Sequence, residues 1–231
     1  MAEARLRVLS EQPPPEPAPA APEPPVSLAK QLFQHARLLL FASIFVAELA
    51  IYFGAMVYPI DPLQQQALQQ EAQQLANATI GQGPVAAVAG IFVNNARIAL
   101  LEMIPAVGAL LFAFVTFSTG QVIQVEASGA SLPGPIFGLL LFVFPFAIIE
   151  LSSYAIAVGS GSMLLVAWRR KALHKEVRVF VLEAGVIVGA VLVAAAMETM
   201  VDVNVAVSLG LWVPTALLIA GIILYERKLR A

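Results

Sequence analysis

The chain has 231 residues, of which 59% are hydrophobic and only 12% charged, with a formal net charge of -2 and no cysteine. Soluble domains run near half apolar and a quarter charged, so this composition describes an integral membrane protein. The distribution of its basic residues excludes a nucleic-acid surface, and the lack of cysteine excludes disulfides, thiolate metal sites and cysteine nucleophiles.

Residues 1–27 contain "EQPPPEPAPAAPEPP", which has no aromatic residue and cannot form a core. This segment is predicted to be a disordered, solvated tail with polyproline II character, in preference to a site for a proline-reading partner. It lacks an apolar h-region and so does not read as a signal peptide. Residues 28–231 read as a single helical membrane domain. Leu38 to Tyr58 is the first span, interrupted only by Glu48. Asp61 to Pro84 is a glutamine-rich loop, and Leu68, Ala72, Leu75 and Ala76 predict a short amphipathic helix within it. The apolar region Val85 to Phe117 is broken at Pro105. A polar linker, "STGQVIQVEASGASLPGP", leads to a long apolar block from Ile136 to Trp168 that contains Pro145 and Glu150. The basic segment "RRKALHKEVR" precedes a span from Val179 to Val201. "DVNVA" reads as a tight turn before the last span, Val207 to Tyr225.

Lys and Arg are retained on the cytoplasmic side. Twelve of the thirteen basic residues flank segments that can share one side, including the 169–178 loop, and the 61–84 loop has none. Both termini and the 169–178 loop are therefore expected in the cytoplasm, with the 61–84 loop external. An odd number of crossings must then lie between Pro84 and Arg169. The preferred arrangement is one span over residues 88–117 followed by a hairpin of two half-helices over 134–168, turning near Glu150. The alternative breaks the first block at Pro105 and makes the second a single kinked span. Both give an all-α, polytopic protein with about six membrane segments.

Charges at membrane depth are costly and usually face the interior. The set here is Glu48, Arg97, Glu102, Glu150, Glu183 and Glu198, with Asp202 at an edge. Glu183 lies near the basic segment and is expected to reach the interface. Asn94 and Arg97 share one helical face, and Asn95 and Glu102 another. Glu150, Ser153, Tyr154, Ala157 and Gly161 form a polar, small stripe suited to helix packing. The candidate cluster is Asn94, Asn95, Arg97, Glu102, Glu150 and Glu198. Arg97, its only cation, is expected to pair with Glu150 or Glu198. A buried pair that fixes helix register is favoured over a transport or ligand site. Asn94 and Asn95 could equally cap a helix. "GVIVG", Gly185 to Gly189, is a close-packing motif. Packing within the chain is its favoured use, and homo-oligomer formation the lesser one.

Several of these residues resemble motifs of the stage II sporulation protein M family. Phe92, Asn94, Asn95, Arg97, Ile98, Ala99, Leu100 and Leu101 match one family motif, "PFAIIELSSYAIAVGSG" a second, and Glu198-Thr199 a third. The similarity covers roughly residues 36 to 225. There are departures: Phe146-Ala147 stand where the family has His-Gly, and Thr119-Gly120 where it has Asn-Gly. The first substitution removes the one acid/base group at that site. The resemblance implies a multi-span scaffold or assembly factor with membrane protein partners, embedded in the lipid bilayer, since the namesake acts as a membrane scaffold beside peptidoglycan-cleaving enzymes. An enzyme is not expected: His35 and His174 are far apart in sequence, and no nucleophile–base pairing, phosphate loop or metal cluster is visible. No cofactor is implied. A solute or lipid transporter using the Arg–Glu cluster is the alternative.

Overall fold

The structure is a computed structural model that describes residues 34–80 and 83–230. The proline-rich tail lies outside the described residues. Among these, the chain is entirely helical: α1 His35–Ala55, α2 Pro62–Ile80, α3 Pro84–Glu102, α4 Val107–Gly129, α5 Gly134–Leu141, α6 Pro145–Arg169, α7 Leu173–Val203, α8 Val205–Gly210 and α9 Trp212–Arg230. Five of them, α1, α3, α4, α6 and most of α7, are long and apolar enough to cross a membrane, and Val205–Gly221 adds a shorter apolar segment. This is a polytopic α-helical membrane protein.

Local chemistry sets the helix ends. Asp61 opens α2 by accepting hydrogen bonds from the Leu63 and Gln64 amides through Oδ1, the usual way a short carboxylate satisfies first-turn donors. The expected amphipathic helix is present as α2, with Leu68 half-buried; the side chains of Ala72, Leu75 and Ala76 lie outside the described ones. Pro84 and Pro145 each stand in the first turn of a helix, where a missing N–H costs nothing. Asn204 caps α8 by accepting from the Ala206 and Val207 amides.

The membrane hairpin lies elsewhere than preferred from sequence. Glu150 sits inside the unbroken helix α6, and the reversal falls between α3 and α4, around Pro105. There Ala106 has φ 67° and ψ -50°, and the Val107 amide reaches back to the Pro105 carbonyl at 2.9 Å. This is a γ-turn of the rarer, strained hand. The first turn of α4 then lies so close to the Glu102 backbone that Gly108 has no room for a β-carbon. α4 returns to the side from which α3 left: Gln64 of α2 donates to Gln121 of α4 at 2.9 Å, and α2 also touches α3. The second apolar block is one kinked span, α5 then α6, broken at 142–144. It runs antiparallel to α1: Gly134 and Gly138 pack on Met56, and Gly159 on Phe41. The carbonyl of Val143, freed at the break, accepts Trp212 Nε1 of α9 at 2.6 Å.

Two stretches expected as loops are largely helical. The 118–135 linker is mostly the second half of α4, because Gly120 presses on Tyr52 and Ala55 of α1 and carries that helix onward. The basic 169–178 loop shrinks to residues 170–172, with Lys171 at φ 57°, and α7 begins at Leu173. The core joins α3, α4, α6 and α7 through Ala96, Ala99, Met103, Phe112, Tyr154, Ala157, Val158, Ile187 and Val191. Alanines at three of these positions on α3 and α6 let the backbones approach closely, as expected between membrane helices. Gly185 and Gly189 do not join in: among the described residues no atom of another helix lies within 4 Å of a β-carbon built on either. The motif therefore faces away from the neighbouring helices, contrary to its expected use within the chain.

Candidate functional site

α3 and α6 meet through polar side chains. Asn95 Nδ2 donates to Glu150 Oε1 at 2.9 Å, and the Tyr154 hydroxyl donates to the same oxygen at 2.9 Å. Asn94 Nδ2 donates to Asn95 Oδ1 at 3.1 Å. Asn95 is thus a helix-to-helix connector held by Asn94, and neither is a cap: α3 begins ten residues before Asn94, at Pro84. The 3, 4 spacing along α6 puts Tyr154 one turn beyond Glu150, where its ring enters the core and its hydroxyl reaches back.

Two further carboxyls come close. Glu48 of α1 and Glu102 of α3 are 0% and 1% exposed, and Glu48 lies within Coulombic reach of both Glu102 and Glu150. Among the described residues, neither oxygen of Glu48 or of Glu102 has a hydrogen-bond partner. Three helices therefore aim acidic side chains into one region of the bundle. Glu198 of α7 is half-buried and is not free. Beside it, Thr199 Oγ1 donates to the Ala195 carbonyl.

Arg97 does not enter this region. It is exposed, and among the described residues it makes no hydrogen bond or ion pair. Glu150 instead holds Asn95 and Tyr154, so the expected Arg97–Glu150 pairing is replaced by neutral donors. The reason is angular: Asn95 and Arg97 are two residues apart on a helix, about 200° around its axis. When Asn95 turns inward, Arg97 must turn out.

The buried ion pair is elsewhere and involves residues expected at the membrane edge. Arg37 of α1, 1% exposed, donates through Nη1 to Glu183 Oε1 at 2.7 Å and through Nη2 to Glu176 Oε1. Glu183 is itself 3% exposed, so it is sequestered rather than interfacial. Sequence reasoning missed this group, although a signal existed. Glu176 and Glu183 are seven apart, two turns along one face of α7, and Arg37 is the basic residue that opens the first span. Among the described residues no group of three His, Cys, Asp or Glu side chains is placed to hold a metal ion.

An all-helical bundle with several apolar spans and ionisable groups turned inward defines a multi-pass membrane protein of the lipid bilayer. Within that class, the family described as Stage II sporulation protein M matches residues 38–201, from α1 almost to the end of α7, and the chain belongs to that family. Comparisons with curated proteins and with solved structures give no match. The matched region holds the Asn95–Glu150–Tyr154 contact, Glu48, Glu102 and Arg97, and stops one residue short of Arg37. Phe146 and Ala147, in place of the family's His-Gly, pack against Ala194, Met197 and Val201. Phe146 also stacks on Phe144, at 6.0 Å between ring centroids.

Proposed function

We propose that this protein is a non-enzymatic membrane scaffold that holds a partner membrane protein against its bundle, with both termini in the cytoplasm. One observation carries the reading: Arg97 stands exposed on a membrane-spanning helix, α3, and among the described residues nothing pairs with it. A cation in that setting is tolerated when something outside the chain meets it. Photo-crosslinking amino acids at Val93 and Leu101, both exposed on α3, test it in native membranes. The expected result is a discrete protein adduct from both positions. Adducts to lipid alone would sink the scaffold role.

A second reading is favoured by a different observation, the unpartnered carboxyls of Glu48 and Glu102. Buried acids of this kind mark ion pathways in membrane proteins, and such a role makes the protein a cation-translocating permease. Purified protein in liposomes would then show cation flux that falls with Glu48→Gln. Flux equal to that of empty liposomes ends this reading.

A further inference from the structure

Arg97 sits near the middle of the bilayer. It lies thirteen residues beyond Pro84, where α3 begins, which is about 20 Å along the helix at 1.5 Å per residue. The other end of α3 does not reach water: Met103 is 2% exposed, and its backbone packs on Gly161 of α6. Gly161 in turn lies about 12 Å short of the end of α6 at Arg169. Arg97 is thus roughly 20 Å from either end of the bundle, which places it near the midplane of a hydrocarbon layer about 30 Å thick.

Its surroundings form a stripe. Val93, Leu100 and Leu101 are 62%, 45% and 43% exposed, and they fall four before and three and four after Arg97. These are the spacings of one helical face. Asn94, three before Arg97, is half-buried and turned to Asn95; the rest of the face is apolar around a single cation, and among the described residues no other element provides a counter-charge there.

We infer that this stripe docks a transmembrane helix of a different protein, and that the helix carries a carboxylate at mid-membrane depth opposite Arg97. The inference deepens the scaffold reading and rests on it. Charge complementarity selects an anion, and the apolar flanks select a helix, the element that satisfies its own backbone in lipid. A lipid phosphate lies at the interface, further away than a stem of three methylenes extends. A second copy of this chain is a poor donor of the anion. Its Glu48, Glu102 and Glu183 are buried, Glu150 is held by Asn95 and Tyr154, and Glu198 is not free.

The test uses the full purified chain in phosphatidylcholine bilayers and a synthetic transmembrane peptide of leucine and alanine with one central glutamate. A matched peptide carries glutamine instead. Energy transfer between labelled protein and labelled peptide reports association. The glutamate peptide should bind roughly tenfold more tightly than the glutamine peptide, within the range of interhelical polar contacts. Arg97→Gln should erase that preference and Arg97→Lys should keep part of it. Both variants alter an exposed side chain, and an unchanged thermal midpoint confirms that they fold. Equal binding of the two peptides overturns the proposal. So does Arg97-dependent retention of phosphatidylglycerol in native mass spectrometry without peptide preference, which assigns Arg97 to lipid. Arg97-dependent self-association without peptide overturns it in favour of a second copy. The two readings fail separately. A protein adduct from Val93 that persists in Arg97→Gln leaves the scaffold standing and removes the carboxylate. Loss of all protein adducts removes the scaffold, whatever the peptides do.

Discussion

Arg37 and Arg97 show what decides the fate of a cation in this bundle. Both open or interrupt apolar helices, yet Arg37 is buried between two glutamates and Arg97 faces outward. Burial is tolerated where the opposing helix supplies carboxylates on one face, as α7 does with Glu176 and Glu183. Arg37→Met should therefore cost about 3 to 5 kcal/mol, because it leaves Glu183 sequestered without its cation. Thermal unfolding in detergent would register this as a lowered midpoint, and the double variant Arg37→Met with Glu183→Leu should recover part of the loss. Additive effects of the two substitutions would refute the coupling. Arg97→Gln, by contrast, should leave the midpoint nearly unchanged. The need to place Arg97 was legible in the sequence, and so was the involvement of Asn95 and Glu150. What the sequence did not reveal was which of the neighbours Asn94, Asn95 and Arg97 points inward, because that depends on the rotation of α3 about its own axis. Rotation is fixed by the alanine face, Ala96 and Ala99, seated in the core.

At the scale of elements, prolines were reliable punctuation and glutamate was not. Pro105 lies in the α3–α4 reversal and Pro145 starts α6. Glu150 looked like a turn because a charge in an apolar run suggests a water-facing break. It stays helical because two donors, one from the same helix and one from α3, satisfy one of its oxygens. Polar stretches misled in the same way. Gln121 read as linker, yet it is buried in α4, where packing against other helices outweighs composition. The α3–α4 turn stores strain that a substitution can relieve. Ala106 occupies φ 67°, where a β-carbon is unfavourable and glycine is not. Ala106→Gly should raise stability by about 1 kcal/mol, partly offset by the greater freedom of glycine in the unfolded chain. Resistance to unfolding in a denaturant series would show the gain. A lower midpoint would mean that the γ-turn is not strained, or that the Ala106 methyl packs favourably.

At the scale of the whole molecule, six membrane segments were legible from hydropathy and the parity of basic residues, even though the hairpin was assigned to the wrong block. Either assignment leaves an odd number of crossings between Pro84 and Arg169, so the two sides assigned to these residues survive the correction. Contacts in the bundle then separate two ends. The α6–α7 turn at Lys171 belongs to the end where α1 begins, because Gly159 packs on Phe41 and Arg37 reaches Glu183 on α7. α2 belongs to the end where α1 finishes, through Gln64 and Gln121. Gln74 and Lys171, both exposed, should therefore lie on opposite faces of the membrane. From the concentration of Lys and Arg around residue 171, that face is expected in the cytoplasm. Single cysteines at these two positions test this cleanly, because the chain has none of its own. An impermeant thiol reagent added to intact cells should modify Gln74→Cys at once and Lys171→Cys only after permeabilisation. The reverse pattern would invert the orientation and move the termini to the outer side. Labelling of both positions from outside would break the six-segment arrangement, and with it the midplane depth of Arg97 on which the proposed partner recognition rests.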